Sequence, residues 1–201
     1  MNPLRRLLAP LVLGLLATSQ AQAFDLDQLG AQLATQAVVR GPFIQEKHLR
    51  ALDRPLSSRG QFVLSAERGL LWKLRSPLQL DYRIDEQGVA RRTADGWQPL
   101  AGQDMAAQQS RLFLAVLRGD RSGLERDFEP RLSGSSDAWK LQLRPRSLLL
   151  KQVFDVIHIQ GGAQVERIEL LETQGDRTLL RLPQSQADDA LNERERDAFA
   201  D

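Results

Sequence analysis

The chain has 201 residues, with 27 Lys and Arg against 26 Asp and Glu, two histidines and no cysteine. Near-neutral charge gives it no nucleic-acid footprint, and the missing cysteines exclude disulfides, thiol chemistry and a lipid-anchoring cysteine. A run of about eleven apolar residues, Leu7 to Ala17, is too short to span a membrane.

That run follows Arg5-Arg6 and precedes Ala21-Gln22-Ala23, a small-x-small site. The arrangement predicts a secretory signal peptide over 1–23, cleaved so that the mature chain begins at Phe24. Losing Arg5 and Arg6 lowers the basic count from 27 to 25 against 26 acids, so the mature net charge is about −1. An exported, cysteine-free chain fits a bacterial periplasm. The rest of the chain, 24–182, is read as one domain.

Asp25 to Val39 reads as an amphipathic helix, with Leu26, Leu29, Leu33 and Ala37 at helical spacing and Gly41-Pro42 as its stop. A strand follows at 43–49, then a polar loop to Arg59. Over 60–66, 69–75, 77–85 and 88–94 apolar and polar side chains alternate with period two. This pattern belongs to an antiparallel sheet with one apolar face. Asp95-Gly96 is a hairpin signal. At Met105 to Leu117 the period changes to that of a helix, and Leu112, Phe113 and Val116 form one stripe, a candidate lid. A short helix near Leu124 and strands at 127–133, 138–144, 153–160, 164–172 and 177–182 complete the domain. Beyond Pro183 the composition turns acidic, and 183–201 is expected to be a flexible polar tail. The expected fold is mainly β, with two or three helices covering an incomplete, half-open antiparallel β-barrel.

No catalytic constellation emerges. His48 and His158 lie on separate strands without metal-ligand spacing, and no nucleophile elbow or phosphate loop is present. The expectation is a non-enzyme without cofactor or metal. Its candidate site is one apolar face built from Phe62, Leu64, Leu70, Trp72, Leu74, Leu78, Leu80 and Tyr82.

The order of motifs resembles the LolA family of periplasmic lipoprotein carriers. Phe43-Ile44-Gln45 is similar to the family's F-x-Q strand, Gly60-Gln61-Phe62-Val63-Leu64 to its glycine-led strand, and Trp72 with Pro77 to its W-x4-P element. Gly88, the run Leu112 to Leu117, and Trp139 to Leu143 with Pro145 follow in order. The chain departs from the family in having Ser65 to Gly69 where an Arg-Pro pair is common, Arg91-Arg92 where aromatics are common, and an acidic tail. The resemblance implies a cavity for the acyl chains of lipoproteins or a related lipidic cargo. It also implies a monomeric shuttle between an inner-membrane transporter and an outer-membrane acceptor. The alternative is a regulatory module of the same fold, RseB-like, that binds a membrane-protein partner.

Overall fold

A computed structural model describes residues 24–100 and 114–200, with 121–123 as backbone alone. The expected signal peptide and lid residues Leu112 and Phe113 lie outside the described residues.

The chain opens with helix α1 (Leu26–Ala34). Six strands follow: β1 (Val38–His48), β2 (Leu56–Ser65), β3 (Gly69–Ser76), β4 (Leu80–Asp85), β5 (Gly88–Thr93) and β6 (Gly96–Pro99). After a helical segment at 114–118 come α2 (Arg121–Asp127), β7 (Phe128–Ser135), β8 (Ala138–Pro145), α3 (Leu148–Lys151), β9 (Phe154–Gly161), β10 (Val165–Glu172) and β11 (Arg177–Arg181). The chain closes with β12 (Gln186–Asp188) and α4 (Glu193–Ala200).

All described strands form one antiparallel sheet in the order β6-β5-β4-β3-β2-β1-β11-β10-β9-β8-β7, and β12 adds to β1. Among the described residues no pairing joins β6 to β7, so the sheet is not closed into a barrel. A single core nevertheless joins Val89 on β5 to Leu141 on β8, with Leu29, Leu33, Val116 and Leu117 among them. Strands near opposite edges can share one core only if the sheet curls around the helices. The expected mainly β, half-open architecture is therefore what the chain adopts.

Local chemistry explains the boundaries. Asp25 caps α1, its carboxylate accepting from Gln28 N at 2.8 Å while Gln28 Oε1 accepts from Asp25 N. The helix ends earlier than expected, because the β-branched pair Val38-Val39 enters β1. Gly41-Pro42 lies inside that strand and is not a helix stop. The second edge of β1 pairs with β12 over 38–40 and with β11 over 44–48. Pro42, which has no N–H, falls in the gap between them. β4 starts at Leu80, later than the periodicity indicated.

The expectation of a flexible tail is corrected. β12 pairs with Val38 to Arg40, and α4 rests on the outer face with Phe199 buried beside Val38, Val63 and Leu71. Asn192 and Glu195 form a reciprocal capping box, each side chain bonding the other's backbone N–H at 2.9 Å. Arg40 then clasps the segment. Its guanidinium donates to both Glu195 oxygens at 2.9 Å and to Asp188 and the Ala190 carbonyl. Burial of an apolar ring and satisfaction of a buried carboxylate together order a stretch whose composition alone is that of a solvated tail.

Candidate lipid-binding face

Period-two alternation sends Phe62 and Leu64 of β2, Leu70, Trp72 and Leu74 of β3, and Leu80 and Tyr82 of β4 to the same side. In the cross-strand registers Phe62 opposes Trp72, Leu64 opposes Leu70, Trp72 opposes Tyr82, and Leu74 opposes Leu80. Phe62, Leu64, Leu70 and Trp72 are buried, and Leu74 and Tyr82 pack against them. Leu78 does not join. It lies between β3 and β4, beyond the Ser76-Pro77 turn, and is 61% exposed.

An aromatic stack organises this face. Phe43 opposes Gly60 across β1 and β2. Its ring passes over the glycine and stacks on Trp72, with centroids 3.7 Å apart and planes 20° apart. A Cβ on Gly60 would stand 2.7 Å from the Phe43 ring and 2.0 Å from the Lys73 carbonyl oxygen. Glycine there lets the two aromatics meet across an intervening strand.

The other half of the inner face, on β8 to β11, was not singled out from the sequence. Leu141, Leu143, Ile157, Ile159, Ile168, Leu170 and Leu180 are all buried in the same core. The signal was present in the alternation of Trp139, Leu141 and Leu143. Trp139 belongs to this core: its indole N–H donates to the Gly162 carbonyl at 2.7 Å, and Gln32 of α1 donates to the same oxygen at 2.6 Å. Those two bonds anchor the C-terminal end of α1 to the β9–β10 turn.

The cover is α1 together with 114–118 and α2. Gly119 adopts φ +67° where it crosses α1, and a Cβ there would lie 2.9 Å from the Gly30 carbonyl oxygen. The enclosed apolar space lined by Leu26, Leu29, Leu33, Val116 and Trp139 has a volume of about 30 Å³. That is room for water-sized molecules, not an acyl chain. Val116 of the expected lid stripe lines this space and lies buried in the packed core. A larger cleft of about 640 Å³ opens on the outside, bordered by Arg40, Lys73, Arg75 and Gln184. Its charged border suits water better than hydrocarbon.

The outer face of β1, β11 and β10 carries ion pairs. Arg181 reaches Glu46 at 3.0 Å, and Glu169 meets Arg177 at 3.3 Å and Arg167 at 3.4 Å. The Arg181 hydrogen bond holds the Glu46 carboxyl below the usual carboxylate range. His48 and His158 sit on this face, half-buried, His48 beside Arg177 and His158 beside Gln142. Among the described residues no group of three or more His, Cys, Asp or Glu is placed to hold a metal ion.

An open antiparallel sheet, apolar inside and closed over by short helices, defines the class of protein. The chain belongs to the family described as outer membrane lipoprotein carrier protein LolA-like, whose model matches residues 18–199. Two solved structures are similar to this chain. A LolA superfamily protein from Nitrosomonas europaea aligns with TM-score 0.49 and 11% identity, over 86% of this chain and 95% of that one. The MucA/MucB complex structure from Pseudomonas aeruginosa aligns with TM-score 0.51 and 17% identity, over 84% of this chain and 58% of that chain. No curated protein matches the sequence.

Proposed function

We propose that this protein is a periplasmic, non-enzymatic carrier. Its inner face takes up the acyl chains of lipoproteins or a related lipidic cargo and releases them towards the outer membrane. The observation that carries this reading is the continuous apolar inner face of an unclosed sheet, closed over by helices that are separate from its strands. Transferring one methylene from water is worth about 0.8 kcal/mol, so exposing one long acyl chain to water costs about 10 kcal/mol. A carrier lowers that cost by offering equivalent apolar contact. Because the enclosed space is small, cargo enters by displacing the cover: α1 and 114–118 move, and acyl carbons replace Leu29, Leu33 and Val116 against the sheet. In the resting state these same side chains keep the inner face from becoming an exposed apolar patch.

The test is purification without detergent, followed by organic extraction and mass spectrometry, together with displacement of a fluorescent fatty acid. Co-purifying acyl lipids and saturable probe binding are the expected results. A lipid-free protein that binds no probe, yet captures a segment of an inner-membrane protein, would favour the regulatory alternative.

A further inference from the structure

Among the described residues the exposed large apolar side chains are Leu52, Leu56, Leu78, Leu148 and Leu149. They come from three separate stretches of sequence, yet the strand directions bring all five to one end of the sheet. β1 runs into the 49–55 loop, and His48 pairs with Arg177, the first residue of β11. The 173–176 turn before β11 therefore lies beside that loop. α3, which leads into β9, lies beside the turn in its own right, because Glu172 pairs with Phe154. Among the described residues, the opposite end, with the turns at 66–68, 86–87, 136–137 and 162–164, shows no exposed large apolar side chain.

Hydrogen bonds make this end a fixed rim. Arg50 N donates to Asp176 at 2.8 Å, Thr173 N donates to the Val153 carbonyl, and Thr173 Oγ1 donates to the Gln152 carbonyl at 2.8 Å. Ser147 caps α3 through Leu150 N at 3.2 Å. Leu150 and Val153 pack into the core. That packing turns Leu148 and Leu149 outward, 80% and 62% exposed. Cations are interleaved with the leucines. The 49–55, 94–95, 126–127, 146–153 and 173–176 segments at this end carry Arg50, Arg54, Arg126, Arg146 and Lys151 against Asp53, Asp95, Asp127 and Asp176, all five cations exposed. The four turns at the opposite end carry Glu67, Glu86 and Asp137 against Arg68 alone.

We infer that this rim is a docking edge for an anionic phospholipid bilayer. Leu52, Leu56, Leu148 and Leu149 enter the acyl boundary, and Arg50, Arg54, Arg146 and Lys151 meet lipid phosphates. Exposed leucines on separate segments, interleaved with cations, suit insertion between charged lipids better than the closed apolar packing of a protein interface. The basic groups supply attraction to the negative surface, and the rim's hydrogen bonds keep the ordering cost of insertion low. The inference goes beyond carriage, since a bilayer-resting edge needs no cargo inside the sheet.

The experiment is co-sedimentation of the mature protein with vesicles of phosphatidylethanolamine and phosphatidylglycerol, and in parallel with phosphatidylcholine vesicles. The expected result is binding to the anionic vesicles that raised salt reverses, with little binding to phosphatidylcholine. Leu148→Asp with Leu149→Asp is expected to lower the bound fraction about tenfold. Leu52→Asp with Leu56→Asp, on a different loop, gives an independent reduction of similar size. Both pairs face water already, so thermal melting and fatty-acid probe binding stay unchanged. The inference is overturned if the wild type stays in the supernatant, if both pairs bind like the wild type, or if binding is indifferent to lipid charge and salt.

Discussion

The two faces of the same sheet solve opposite problems. Inside, apolar side chains run unbroken from Val89 on β5 to Leu141 on β8 and meet the helices α1 and 114–118. Outside, the strands divide. On β1 to β3 a small apolar island of Val38, Val63 and Leu71 is covered by Phe199 of α4. Around β10 and β11 the surface is a ladder of ion pairs that needs no cover. The inner core is broad and redundant. The outer island is small and rests on Phe199, with Trp97, Leu191 and Ala198 packed at its edge and Arg40 clasping the segment. Strand alternation thus sets which side each residue faces, while the extent of the apolar area decides whether the covering element is a major part of the core or a detachable strap.

Mutations that pit the faces against each other should differ in reach. The largest effect is expected for Phe43→Ala, which removes the ring stacked on Trp72 and leaves a void in the inner core. Global stability should fall by about 4 kcal/mol in denaturant titration. Gly60→Ala comes next, at about 3 kcal/mol, because its methyl must displace the Lys73 carbonyl or the Phe43 ring. If Gly60→Ala proves neutral, the account of the stack over glycine is wrong.

Arg40→Ala probes the outer face. It leaves Glu195, with a side chain only 8% exposed, without its bidentate partner. Local opening of 193–200 should become easier by about 2 kcal/mol. Hydrogen exchange should speed up in α4 while the β9 amides stay protected. Loss of protection throughout the sheet would show that the strap and the inner core are one cooperative unit.

The smallest effect concerns pH. The hydrogen bond from Arg40, followed by the backbone N–H of Asp189, holds Asp188 below its ordinary value of 3.8. A carboxylate with a depressed folded value adds stability that is fully present above 3.8 and is lost as the pH falls through the lower folded value. The melting-temperature difference between wild type and Asp188→Asn should therefore be present near neutrality and vanish in strong acid. A difference that persists in acid would mean that Asp188 acts through something other than its charge.

Much of the inner face was legible because strands with one wet side alternate strictly, as Trp72-Lys73-Leu74-Arg75 does. The same run also held a signal for the outer island. Phe62-Val63-Leu64 and Leu70-Leu71-Trp72 are continuous apolar triplets, and a strand buried on both faces reads that way. Asn192 and Glu195 have the spacing of a capping box, the one local sign of α4 in an acidic stretch. Phe199 alone could not mark a core position, because its partners lie over a hundred residues earlier in the sequence. Leu78 continues the alternation on paper, but the turn at Ser76-Pro77 carries it off the sheet. The small size of the enclosed space was beyond sequence reasoning, since it depends on how closely α1 and Gly119 approach one another.

The clasp between Arg40 and Glu195 spans 155 positions of chain. A chain that emerges vectorially from the N-terminus completes β1, β2 and β3 long before α4 exists. During that interval Val38, Val63 and Leu71, on strands that are already paired, lack the cover of Phe199. The helix α4 therefore completes the outer face only after the strands beneath it have paired. Until Phe199 seats, that apolar strip is only partly covered, and truncation before α4 is expected to leave the inner core folded and the outer strip prone to aggregation.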